Sequence, residues 1–360
     1  MSFSDVIGQH HAKGILERAL EKSRVAHAYL FSGPEGVGKE ALALTFTKAL
    51  FCKSDDERPC DECANCRRIN SFQHPDVSFL FPSSAKNVDE ERAILDSVQN
   101  DPYKRSKPWA TPTIGIDKIR ELRHQATLKP LEGRRLIIIA EADRMTIPAA
   151  NSLLKLLEEP PDTMHLVLTA SKINSMLPTI LSRCQEIRFG PLSDNDIEWA
   201  LVEKRNVAPE QARILAGMSQ GNFRRALDWM DESFAASREA ALAFLRTCLK
   251  NPKLQIEFVE ELVKKNDKKQ IKDVLSLMLI WFRDALLLEE AGANQGLVNI
   301  DQVDTLEKFL GAFESIDYFA ASTEIENSMT MIERNIQINL ILVVLMIKLQ
   351  RMMKLKGRSK

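Results

Sequence analysis

GPEGVGKE, residues 33–40, decides how the first half of this chain folds. It is a phosphate-binding loop with an altered last position. The usual pattern is G-x-x-x-x-G-K followed by Ser or Thr. The loop's N–H groups cradle phosphates, the lysine reaches the β- and γ-phosphates, and the hydroxyl holds Mg²⁺. Gly33, Gly36, Gly38 and Lys39 are in place, and Glu40 stands where the hydroxyl would be. The apolar run AHAYLFSG (26–33) leads into the loop, and the Ala/Leu-rich stretch from Glu40 to Leu50 leaves it without Gly or Pro. This places the loop between a buried strand and a helix N-terminus, where the helix end adds positive potential.

Working outward, DVSFLFP (76–82), RRLIIIAEAD (134–143) and HLVLTAS (165–171) read as further strands. Helices are expected from Asp117, with Ile119, Leu122 and Ala126 on one face, and over PAANSLLKLLEE (148–159), which Pro160 and Pro161 stop. Strands alternating with helices imply a parallel sheet with helices on both faces. Residues 83–112 are polar and proline-punctuated, and are expected to form a long mobile loop.

A P-loop ATPase also needs acidic residues at the end of a second buried strand. Glu141 follows LIIIA, but Ala140 precedes it where Asp would serve Mg²⁺. A carboxylate at position 40 is a legitimate Mg²⁺ ligand. It also adds negative charge beside a triphosphate, a repulsion of about 4 kcal/mol at 4 Å in a surface-like dielectric. The loop is therefore expected to hold ATP and Mg²⁺ weakly or not at all, and turnover by this chain is not expected. The plain reading of Glu141 and Asp143 is as solvated residues at a strand end.

Four of the six cysteines, Cys52, Cys60, Cys63 and Cys66, fall within fifteen residues. The spacing C-x7-C-x2-C-x2-C supplies the four thiolates of a closed tetrahedral zinc site and leaves no open position for catalysis. Cys184 and Cys248 stand alone, as small buried residues do.

The net charge is −1 with 28% charged residues, which argues against a free-standing basic DNA binder. The longest late apolar run, Leu340–Ile347, is short of the roughly 20 residues needed to span a bilayer. A cytoplasmic protein is expected.

After Pro191, Ser193 caps a helix with Asp196 three residues on, Pro209 opens a second helix, and GNFRRALDW (221–229) forms a third. From 237 onward no strand signal is present. The stretches AALAFLRTCLK, IEFVEELVKK, VLSLMLIWFRDALLLEE and ERNIQINLILVVLMIKLQRMM read as helices, with more apolar surface than one small bundle buries. KLKGRSK closes the chain as a short basic tail.

Together, VIGQ (6–9), HAYLFSGPEGVGK (27–39), the cysteine cluster, EADRMTIPAANSLLKLLEEPP (141–161) and LPTILSRCQEIRF (177–189) resemble the bacterial replicative clamp loader, an AAA+ ATPase family. The most specific element is the triplet Ser182, Arg183, Cys184. The resemblance implies an α/β AAA+ P-loop domain over 1–190 carrying the zinc module at 52–66. A small helical lid over 191–236 and an all-α collar over 237–360 would follow. It implies that Arg183 is an arginine finger reaching a neighbouring subunit's nucleotide, and that Arg224 is the lid's sensor arginine, although Arg225 is equally available. Thr169 or Ser171 would be the polar sensor. Asn335 and Asn339 resemble the collar pattern. The implied partners are the gamma/tau and delta subunits in a hetero-pentamer, the sliding clamp and, through the complex, primer-template DNA at the nucleoid. Two other readings stay open: an ATP-hydrolysing gamma/tau-like subunit of the same loader, and a different AAA+ remodeller.

Overall fold

The computed structural model describes residues 1–54, 57–83, 88–104, 112–230, 233–292, 296–334 and 336–355. These form two compact units, Met1–Leu227 and Asp228–Lys360.

The first unit opens with α1 (His10–Glu21), β1 (Ala28–Ser32) and α2 (Lys39–Phe51), followed by α3 (Ala64–Asn70), β2 (Val77–Leu80) and α4 (Val88–Asn100). Then come α5 (Ile116–Thr127), β3 (Arg135–Ile139), α6 (Ile147–Glu158), β4 (Met164–Ala170), the short α7 (Pro178–Leu181) and β5 (Gln185–Arg188). Helices α8 (Asp194–Arg205), α9 (Pro209–Ser219) and α10 (Phe223–Asp228) follow, α10 ending one residue past the division between the units. The five strands form one parallel sheet in the order β2-β3-β4-β1-β5. This is the parallel α/β sheet the sequence led us to expect, and only the short edge strand β5 was not read from its residues.

Alternation along each strand sends side chains to opposite faces. On one face Leu30, Ile137, Ile139, Leu166 and Leu168 pack with Ile119 and Leu122 of α5 and Leu153 and Leu157 of α6. On the other, Tyr29 meets Phe46 of α2 edge to face at 5.7 Å. Leu153 is fully buried in this core, so truncating it to Ala costs about 2–5 kcal/mol. Helix α6 starts where Thr146 accepts from the N–H of Ala149, and stops before Pro160 and Pro161. Ser193 caps α8 by accepting from the Asp196 N–H at 3.1 Å.

The expectation of a loop over 83–112 is corrected. Helix α4 occupies 88–100, with Ile94 and Val98 four residues apart and both buried. Its polar composition describes the solvent side of an amphipathic helix, and the apolar pair supplies the other side. Residues 84–87 and 105–111 of that segment lie outside the described residues.

The second unit contains α11 (Ser233–Cys248), α12 (Pro252–Lys265), α13 (Lys268–Ala291), α14 (Val303–Ala312), β6 (Phe313–Ile316), α15 (Tyr318–Glu333), α16 (Ile338–Met352) and β7 (Met353–Leu355). Two expectations are corrected here. The chain after 237 is not purely helical, since β6 and β7 pair antiparallel and take in Lys354 and Leu355 of the basic tail. The terminal helix does not run unbroken from Glu333 through to Met353 either: α15 ends at Glu333, and α16 begins at Ile338, ends at Met352 and packs against α15. Asn335 lies outside the described residues, and Asn339 is half-buried in α16. Leu340, Val344 and Ile347 remain exposed along one side of α16, and Phe319 is 85% exposed on α15. Among the described residues no helix is long and apolar enough to cross a membrane.

Candidate functional site

Parallel α/β sheets collect ligands at the carboxyl ends of their strands, where neighbouring loops diverge. Here β3, β4 and β1 are adjacent and deliver, in turn, Glu141, Ser171 and the 33–40 loop to one place. The cavity there is lined by Glu35, Gly36, Gly38, Lys39, Glu40, Pro102, Tyr103, Glu141, Thr169, Ser171 and Arg224. Apart from Gly33, which the Lys39 ammonium touches, every cofactor-binding residue expected from the sequence lines it.

Gly38 holds the left-handed conformation (φ 94°) and caps α2, so Lys39 and Glu40 form that helix's first turn. Glu40 complements the positive helix end, a structural use that needs no metal. Lys39 is buried. Its ammonium donates to the carbonyls of Gly33 at 2.6 Å and Pro34 at 2.5 Å, and to the Ser171 hydroxyl at 3.1 Å. Burial pushes its pKa down to about 8, against the attraction of Glu40, Glu35, Asp143 and Glu141.

Glu141 and Asp143 are not solvated strand-end residues. Glu141 is buried, pairs with Arg144 at 2.6 Å, and its N–H donates to the Thr169 hydroxyl at 3.0 Å. Asp143 accepts from the N–H groups of Ser171 at 3.3 Å and Lys172 at 3.1 Å, tying the β3 end to the β4 end. Thr169 and Ser171 thus divide the labour: one faces Glu141, the other Lys39.

The third helix of 191–227 closes the site from the side. The Phe223 N–H donates to the Gly36 carbonyl at 3.0 Å, and a Cβ on Gly36 would lie 1.7 Å from the Asn222 Oδ1. Only glycine fits there. Of the two adjacent arginines, Arg224 lines the cavity, while Arg225 donates its N–H to Asn222 and its guanidinium to Gln220. Gln9, in the N-terminal VIGQ, donates to the Gly190 carbonyl at 2.8 Å and joins this end of the chain to the segment after β5.

Sequence reasoning missed Tyr103. Its hydroxyl accepts from the Ile7 N–H at 2.9 Å, and its ring lies 5.1 Å from that of Phe223, edge to face. No local pattern marks it, because its partners sit 96 and 120 residues away.

The four clustered cysteines come together as expected, with all four sulfurs within 4.8 Å of one another. A tetrahedral ion with bonds of about 2.3 Å to sulfur requires separations of about 3.8 Å, so the group can hold one metal ion. The N–H groups of Cys60, Cys63 and Cys66 each point at the sulfur of an earlier cysteine, at 3.3–3.5 Å. Burial works to raise the Cys63 thiol, but N–H donors of Lys53 and Cys66 outweigh it and bring it down to about 6. Burial raises Cys66.

Arg183 stands after α7, with its side chain 34% exposed. It donates to the Thr179 carbonyl at 2.8 Å and pairs with Glu158 at 2.9 Å. Ser182 donates to the Thr179 carbonyl at 3.2 Å, and Cys184 packs against the sheet core, where burial pushes its thiol up to about 11.

Residues 8–193 match the family described as DNA polymerase III, delta subunit. DNA polymerase III subunit delta' of Bacillus subtilis (strain 168) is 32% identical over 279 residues, covering 76% of this chain and 76% of that protein. The tau subunits of Bacillus subtilis and Escherichia coli (strain K12) are each 29% identical, over 84% and 81% of this chain. The chain spans about half of their length, 53% and 43% respectively. A gamma subunit-related protein from Thermotoga maritima superposes with a TM-score of 0.46 at 15% identity, covering 94% of this chain and 99% of that one. With a family match over half its length and a delta' relative aligned over three quarters of both proteins, this chain belongs to the DNA polymerase III delta' family of clamp loader subunits.

Proposed function

We propose that this chain is a non-hydrolysing delta' subunit that helps load the sliding clamp onto primed DNA, and that its working residue is Arg183, aimed at ATP held by an adjacent gamma/tau-like subunit. The observation that carries the reading is the presentation of Arg183: a partly exposed guanidinium on a backbone braced by Ser182 and by the inward-packed Cys184. Phosphoryl transfer spreads charge over equatorial oxygens, and an arginine supplied in trans stabilises it by about 10³ to 10⁵ in rate. The intrachain pair with Glu158 is exposed enough to be exchanged cheaply.

The altered Glu40 and Ala140 support a site that does not turn over ATP by itself, with Arg224 and Glu141 retained as the architecture of a nucleotide site. Restoring Glu40→Thr and Ala140→Asp together is not expected to suffice. Cys52, Cys60, Cys63 and Cys66 hold one structural Zn²⁺ that ties the α2 end to α3. Residues 191–236 act as the lid. Residues 237–360, with the exposed side of α16, form the collar that joins the chain to the gamma/tau and delta subunits.

The test is a complex reconstituted with Arg183→Ala or Arg183→Lys, which lacks the planar fork. Assembly should be intact, with DNA- and clamp-stimulated ATP turnover and clamp loading down at least tenfold. Wild-type turnover in an assembled mutant complex would end the trans-acting role. The similarity to tau subunits favours one second reading, an active motor subunit. Robust turnover by the isolated chain, abolished by Lys39→Ala, would put it first.

A further inference from the structure

Tyr103 does more than fill space. It is 7% exposed, and a Cβ on Gly38 would lie 3.0 Å from its ring, so the ring rests directly on the backbone of the phosphate-binding loop. Its hydroxyl takes the N–H of Ile7, a buried main-chain donor. The short strap that delivers it is held from two sides. Its own N–H and that of Lys104 donate to Asp101, at 3.0 Å each, and the Asp101 carboxylate pairs with Arg205 of α8 at 2.5 Å. What remains beside Lys39 is a cavity of about 50 Å³. Small-molecule sites commonly offer about 300–1,000 Å³.

We infer that Tyr103 is an internal occupant of the base position of this P-loop site, standing in for the flat ring of a purine nucleotide and keeping the isolated chain from binding one. A buried main-chain N–H has to find an acceptor. A purine offers that donor a ring nitrogen and offers Phe223 an aromatic partner. The phenol ring supplies an oxygen acceptor and the same kind of aromatic partner from within the chain. A nucleotide would therefore have to displace a packed ring, its hydrogen bond and the Asp101–Arg205 tether before its base could enter. When the open form is only a fraction of the population, apparent affinity falls by that fraction. The inference rests on the proposed reading that this site does not turn over ATP, and adds a cause separate from the missing Mg²⁺ ligands.

The experiment uses the isolated full-length chain and a fluorescent N-methylanthraniloyl ATP, competed with unlabelled ATP. The wild-type chain should show weak or no saturable binding. Tyr103→Ala should bind at least about tenfold tighter, corresponding to a closed fraction of about nine-tenths or more. The gain should vanish in Tyr103→Ala/Lys39→Ala. Should Tyr103→Ala lose its fold by circular dichroism, Asp101→Ala, which loosens the strap and leaves the ring's volume in place, decides the matter with an expected severalfold gain. A folded variant that binds no tighter than wild type overturns the inference. So does a gain that survives loss of Lys39, or tight Lys39-dependent binding by the wild-type chain. None of these outcomes involves Arg183 or a second subunit, so they stand or fall separately from the trans-acting role.

Discussion

Arg183 and Glu158 are joined by a 2.9 Å ion pair that bridges the second residue after α7 to the last residue of α6. The arginine's other guanidinium nitrogen is held by the Thr179 carbonyl at 2.8 Å. The pair orients the guanidinium, and partial exposure leaves it exchangeable for a phosphate oxygen.

Removing Glu158 should therefore separate orientation from chemistry. Glu158→Gln is expected to change stability by less than about 1 kcal/mol, the ordinary worth of an exposed pair. In the reconstituted complex it should shift ATP turnover by no more than about threefold, while Arg183→Ala costs far more. Urea denaturation of the chain and steady-state ATP turnover of the complex check the two halves. An equal loss for both variants would mean that Arg183 matters through the ion pair.

One zinc per chain is expected by elemental analysis. Metal binding requires thiolates, so affinity should fall steadily as pH is lowered, with protons displacing the ion. Cys66→Ser, at the most buried ligand, should abolish stoichiometric zinc and lower the melting temperature by several degrees. A metal-free wild-type chain with an unchanged melting temperature would refute the zinc assignment.

Lys39 gives a pH signature. Its folded pKa of about 8 lies below its ordinary value of 10.5, so the buried ammonium is a penalty fully present below about pH 8. Between 8 and 10.5 the unfolded chain holds more protons than the folded one, and stability rises with pH. Relative to Lys39→Met, the wild-type chain should gain about 3 kcal/mol across that window in denaturant titrations at pH 7.5 and 10.5. A difference that is flat with pH would show that the folded lysine is not perturbed.

The sequence by itself determined the elements whose signals are local. The strand–loop–helix around Gly33 to Lys39, the buried run Leu136–Ile139, the stop of α6 before Pro160, and the Ser193 cap are each written in a few neighbouring residues, because apolar period and terminal hydrogen bonds act over one or two turns. The grouping of Cys52 with Cys60, Cys63 and Cys66 was legible for the same reason. Local signals misread α4, where the buried pair Ile94 and Val98 is set among charges, and the β6–β7 pair, whose strands are four and three residues long and lie some 40 residues apart. Only the tertiary structure decided that Arg224 and not Arg225 faces the loop, that Asp143 ties two strand ends together, that Glu158 braces Arg183, and that Tyr103 lies on Gly38. Each is a contact between residues at least 25 positions apart, or a choice between neighbours on one helix. Such contacts depend on how sheet and helices pack, and packing is a property of the whole core that no short stretch carries.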